Sequence, residues 1–178
     1  MRPAALLGIA LCLIASWGCG GKTTNVTGPD REKATMSGTG GNGEYTATGP
    51  DGQKITGTQK GDKVEYTVDG TDGKKVAWSG GAAGVDLPEG FPKDVPLYPG
   101  ATNTVSVKEG KSTSVVLKSN DESKKVRDFY ASKLKENGWT IETAADIEQG
   151  SMFSAKKDKR RLSVVMSGGN ISIGLQDE

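Results

Sequence analysis

The chain opens on a massed apolar run, Ala4 to Trp17, interrupted only by Gly8 and Ser16, and after it hydrophobic residues are spaced, never massed. Between residues 44 and 78 they follow a two-residue period. Tyr45, Ala47, Val64, Tyr66, Val68, Val76 and Trp78 fall on one face, and threonines and charges on the other. This is the signature of half-buried strands. Further on the period changes: Val126, Phe129, Tyr130 and Leu134 recur at three- and four-residue steps, which predicts a helix with one buried stripe. Ser119 and Glu122 read as a capping box, Asp121 and Glu122 suit the positive helix start, and Gly138 supplies the stop.

Two strands are expected before this helix, Thr104 to Lys108 and Ser112 to Lys118. Four follow it: Trp139 to Thr143, Met152 to Lys156, Leu162 to Ser167 and Ile171 to Leu175. One apolar helix stripe with this ββαββββ order predicts a two-layer α+β module, the helix lying across one face of an antiparallel sheet. Upstream, Asp86 to Ala101 holds four prolines, so it is extended and unable to pair as a central strand. Its Phe91, Val95, Leu97 and Tyr98 predict a strap laid on a core.

The strand-rich middle is an internal repeat. Glu44-Tyr45-Thr46-Ala47-Thr48-Gly49-Pro50-Asp51-Gly52-Gln53-Lys54-Ile55 returns as Glu65-Tyr66-Thr67-Val68-Asp69-Gly70-Thr71-Asp72-Gly73-Lys74-Lys75-Val76. Each copy reads as a β-hairpin turning on Asp-Gly, where glycine accepts positive φ. The whole is then antiparallel and β-rich: a signal over 1–18, a flexible tether over 19–31, a repeated hairpin sheet over 32–80, a Gly-rich linker over 81–85 and the module over 86–178.

Composition removes whole classes of chemistry. There is no histidine, and the two cysteines, Cys12 and Cys19, both lie near the start. The folded part therefore has no disulfide, no thiolate or imidazole metal site, and no cysteine nucleophile. Without residues 1–18 the chain loses only Arg2 and carries 22 basic and 22 acidic side chains. That balance gives no steering toward nucleic acid.

The N-terminal segment has the layout of an export signal: a basic start at Arg2, the apolar run, and Gly20-Gly21-Lys22 beyond it. The run is shorter than the roughly 20 residues that span a bilayer. Ser16-Trp17-Gly18-Cys19 resembles the lipobox of bacterial lipoprotein precursors, which most often have Leu at the place of Ser16. The resemblance implies cleavage before Cys19, acylation of that cysteine and a cell-envelope location. Gly20, where inner-membrane lipoproteins often carry Asp, implies the outer membrane if the host has two. A plain secretory signal with an incidental cysteine is the other reading.

The C-terminal half resembles a module that recurs in exported bacterial proteins of unassigned function. The resemblance is carried by Phe91-Pro92-Lys93-Asp94-Val95-Pro96-Leu97-Tyr98-Pro99-Gly100-Ala101, Phe129-Tyr130, Leu134 and Gly138-Trp139. It implies an envelope setting and brings no reaction.

Four features of the sequence are candidates for chemistry. Lys156-Lys157-Asp158-Lys159-Arg160-Arg161 reads as a solvated hairpin tip, though the same cations suit lipid phosphates or an acidic wall polymer. Phe129, Tyr130 and Trp139 suit a pocket but have the spacing of a core. Glu142, Asp146 and Glu148 are candidates for acid and base only by residue type. Asp51 and Asp72 recur at equivalent turns where Ca2+ is conceivable, yet Asp-Gly there is ordinary turn chemistry. No catalytic, metal or cofactor site is expected. The expected role is a lipid-anchored, non-enzymatic interaction or structural module with an envelope protein or cell-wall component as partner. The alternative is a carrier of a small apolar or lipid ligand.

Overall fold

The computed structural model describes residues 22–27, 33–38, 42–48, 52–148 and 150–177. The export segment and Cys19 lie outside them. Among the described residues no helix is long and apolar enough to cross a membrane. The chain divides into two compact units between Lys75 and Val76.

The first unit is an antiparallel meander of β1 (Lys22–Thr27), β2 (Lys33–Gly38), β3 (Asn42–Thr48), β4 (Lys54–Lys60) and β5 (Lys63–Asp69), each strand paired with the next. Lys22–Thr27, expected as part of the tether, is a strand. Its threonines and Val26 favour extended backbone, and pairing along the whole of β2 supplies the hydrogen bonds that composition alone does not reveal. Lys60 pairs with Lys63, so Gly61-Asp62 is a two-residue loop, with Gly61 at φ +62°. The repeat's turn glycines, Gly52 and Gly73, both hold positive φ. Register aligns Ala47, Ile55 and Val68 across β3, β4 and β5 on one face, and Thr46, Thr56 and Thr67 on the other. None of the residues described in β3 to β5 is fully buried.

The second unit contains β6 (Lys75–Gly80, all but Lys75), β7 (Thr102–Glu109), β8 (Ser112–Lys118), α1 (Ser123–Glu136), β9 (Thr140–Ile147), β10 (Gly150–Lys157), β11 (Arg160–Ser167) and β12 (Asn170–Asp177). The sheet order here is β6-β7-β8-β12-β11-β10-β9, antiparallel throughout. β8 and β9 run in the same direction, so α1 is the crossover that carries the chain to the far edge. Two-residue turns at Asp158-Lys159 and Gly168-Gly169 then fold β10, β11 and β12 back toward β8. The fold is α+β and β-rich, with one helix among the described residues.

The expected linker at 81–85 is integrated into this sheet. β6 pairs with β7, the Gly81 amide donates to the Thr104 carbonyl at 3.0 Å, and the Val85 amide donates to Asn103 at 2.7 Å. Glycines that read as loose in sequence here let the chain lie close against β7. Gly84, at φ +107°, has Thr102 3.0 Å from where a Cβ would stand.

The helix also starts differently from the capping box. Its N-cap is Glu122, without a side-chain cap bond, and the Ser119 hydroxyl accepts from the Asp121 amide at 3.1 Å. At the other end Gly138 takes φ +81° and the Trp139 amide donates back to Leu134 at 2.8 Å, closing the last turn. Val126, Tyr130 and Leu134 pack onto Val115, Leu117, Phe153, Val164 and Ile173, and the strap adds Val95 and Tyr98 to the same core.

Candidate functional site

Helix and strap both cover one face of the second unit's sheet. Strand side chains alternate, so the other face carries the intervening residues. Register arranges these in cross-strand rows. One row runs Val107, Ser114, Gly174, Ser163, Ser154, each directly opposite the next. Its neighbour on one side is Val105, Val116, Ser172, Val165, Met152, and on the other Glu109, Ser112, Gln176, Arg161, Lys156.

Three serines and one glycine in four successive places of this row make a low floor. A Cβ placed on Gly174 would meet nothing within 4 Å. The result is an open trough of about 390 Å3, with Ser114, Ser154, Ser163 and Gly174 in its floor and Ser112, Arg161 and Gln176 along its charged side. The opposite row is mostly aliphatic, and its Val105, Val116, Val165 and Met152 are half-buried. A ligand lying in the trough would meet hydroxyls beneath, the aliphatic carbon of Val107, and the Glu109 carboxylate, Arg161 guanidinium and Gln176 amide along one side.

The densest charge run is divided between two jobs. Arg160 donates to both carboxylate oxygens of Asp94, at 2.9 and 2.7 Å, and Lys157 donates to the same carboxylate at 2.7 Å. Lys157 also donates to the Asn137 carbonyl at 2.7 Å, satisfying the end of α1. The Asp94 carbonyl accepts from the Trp139 indole at 2.9 Å and the Asn137 amide at 3.1 Å, and the Arg160 guanidinium sits 5.1 Å from the Trp139 ring centre. Hydrogen bonds from Arg160 hold the Asp94 carboxyl far below the usual carboxylate range, partial burial opposes this, and Lys157 reinforces it. Asp94 thus pins the strap to the hairpin tip. A sequence signal existed, since an acid between prolines faces a basic run across the fold, but nothing local pairs residues 94 and 160.

The aromatic residues go to the core. Trp139 and Tyr130 are buried; Phe129 stands edge-on to Tyr98 at 5.1 Å and to Tyr130 at 5.2 Å. Tyr98 is itself tied to the helix start, donating to Asp121 at 2.6 Å. The Tyr130 hydroxyl is buried without a hydrogen-bond partner; the Tyr98 main chain is its polar neighbour, outside hydrogen-bond geometry. Burial pushes this phenol far above its usual range.

Glu142 and Asp146 lie on β9 and Glu148 just beyond it. Asp146 is taken by Arg127 at 2.9 Å and by the Ser151 hydroxyl at 2.8 Å, while Glu142 and Glu148 are exposed. Asp72 accepts from the Lys74 amide at 3.1 Å within its turn, and Asp51 is outside the described residues. Among the described residues no three acids lie grouped for a metal ion.

A family model described as START domain-like matches residues 101–177. This stretch is similar to that family. It is shorter than half of the 178-residue chain, and it contains the helix, six strands and every residue of the trough. No curated protein and no solved structure matches the chain.

Proposed function

We propose that the chain is an exported lipoprotein, acylated at Cys19, whose second unit binds a small ligand on the helix-free face of its sheet. The observation that carries this reading is the trough over Ser114, Gly174, Ser163 and Ser154. Its volume of about 390 Å3 falls in the range of roughly 300–1,000 Å3 common for small-molecule sites. It lies inside the stretch similar to a START domain-like model, and START-like domains are generally ligand-binding. On this reading the protein is a non-enzymatic carrier, built as a repeated hairpin sheet followed by a ββαββββ module, and it stands in the cell envelope. The hydroxyl floor, with Glu109, Arg161 and Gln176 along one side, favours a ligand that carries polar groups.

Native mass spectrometry of the chain from Gly20 onward, produced in a bacterial periplasm and purified without detergent, tests the binding. A copurified small molecule that is absent from Gly174→Trp, a substitution that fills the trough, supports it. A molecule retained by that variant places the site elsewhere. Acyl labelling beside Cys19→Ala tests the anchor, and label kept by the mutant removes it.

A second reading, an interaction module for another envelope protein or wall component, is favoured by β9. This strand is at the edge of the sheet and leaves Ile147 43 % exposed. An open strand edge of this kind is a template for a partner's strand. A ligand-free mass together with crosslinks to β9 in the native envelope would support it.

A further inference from the structure

Three chain reversals of the second unit meet at one end of its sheet: the β10–β11 turn, the end of α1 and the strap at Asp94. The contacts are direct. Lys157 reaches both Asn137 and Asp94, and Lys157 and Arg160 face each other across the turn. Lys93, Lys135 and Lys159 are exposed at this end, and Lys156 is opposite Arg161 in the next pair of the hairpin. The acids nearby are largely engaged: Asp94 by two cations, and Glu136 by Lys133. Asp158 is exposed at the turn, and Asp177 faces Arg160.

Lys157 and Arg160 therefore fix the tip, while Lys93, Lys135, Lys156 and Lys159 surround a surplus of positive charge. In a chain whose overall charge is nearly balanced, this end carries a local excess of cations. A turn, a helix terminus and the strap make up this end, and each of them carries an exposed lysine. From this we infer that the basic end of the second unit, around Lys93, Lys135, Lys156 and Lys159, docks on a layer of anionic lipid headgroups. Juxtaposed lysines bind such a surface through its negative potential, and salt weakens the attraction. Docking would also bring Arg161, which lines the trough, and its cross-strand neighbour Lys156 toward the headgroups. The inference depends neither on a ligand in the trough nor on acylation.

The test is co-sedimentation of the chain from Gly20 to Glu178, which keeps every described residue and has no acyl chain. The vesicles are phosphatidylcholine alone or with about a third phosphatidylglycerol. Binding is expected to the mixed vesicles only and to fall with added salt. Lys156→Glu with Lys159→Glu, which leaves the Asp94 contacts in place, is expected to weaken it by about thirtyfold or more. Lys118→Glu with Lys124→Glu, at the end of β8 and the start of α1, is expected to leave it unchanged. Thermal melting of both variants checks that each is folded. Equal binding to neutral vesicles, no binding to mixed vesicles, equal loss in both variants, or binding to an acidic polymer in place of vesicles would each overturn the inference.

Discussion

The two units use the same local language and reach different degrees of burial. Both are antiparallel sheets with glycine-bearing turns and alternating strands, the first a simple meander and the second interrupted by the α1 crossover. In the first, Ile55, Val64, Tyr66 and Val68 are only half-buried. In the second, Val115, Leu134, Val164 and Ile173 are completely excluded from solvent. The difference is a second layer: α1 and the strap cover one face of the β6–β12 sheet. A strand pattern supplies one apolar side, and that side is fully removed from water only when another element lies on it.

This contrast is open to measurement. The largest effect is expected for Leu134→Ala, which empties a fully buried position and should cost about 3 kcal/mol in denaturant unfolding. Val68→Ala, at a half-buried position of the first unit, should cost about 1 kcal/mol or less. Equal losses would erase the distinction between the units.

Next in size is Asp94→Asn, which leaves Arg160 and Lys157 without their shared carboxylate and should cost about 2 kcal/mol at neutral pH. Because the folded carboxyl titrates below its unfolded value of about 4, its contribution is complete above that value and is lost as pH falls below it. The stability gap between wild type and Asp94→Asn should therefore be flat near neutrality and narrow under acid. A gap that widened in acid would mean that the strap is held by other contacts.

The smallest effect is expected for Tyr130→Phe. Removing a buried hydroxyl that lacks a partner should be neutral or stabilising by up to about 1 kcal/mol in thermal or chemical unfolding. A clear loss would reveal a hydrogen bond to that oxygen in solution.

Legibility followed the range of the interactions. The helix was readable because Val126, Tyr130 and Leu134 share a face at helical spacing and Gly138 closes it, both local facts. Its start departs from the capping box because such a box depends on side-chain direction, and Ser119 accepts from the Asp121 amide instead. The strand at Lys22–Thr27 and the integration of Gly81 to Val85 were hidden because each depends on a partner strand elsewhere in the chain. The trough was invisible for the same reason. Ser114, Ser154, Ser163 and Gly174 are unremarkable in sequence, and register alone makes them neighbours.

What the sequence determined by itself was what its periods and its missing residue types dictate: strands with one apolar side, an amphipathic helix at Val126 to Leu134, and no histidine or cysteine beyond Cys19. What the tertiary structure decided was which side each layer covers, which cations of the basic run are bound to Asp94, and where small side chains line up. The physical reason is distance along the chain. Periodicity acts over a few residues, whereas strand order, strap docking and the Asp94 contacts join positions tens of residues apart, where the balance of burial against chain ordering is settled only by the assembled fold.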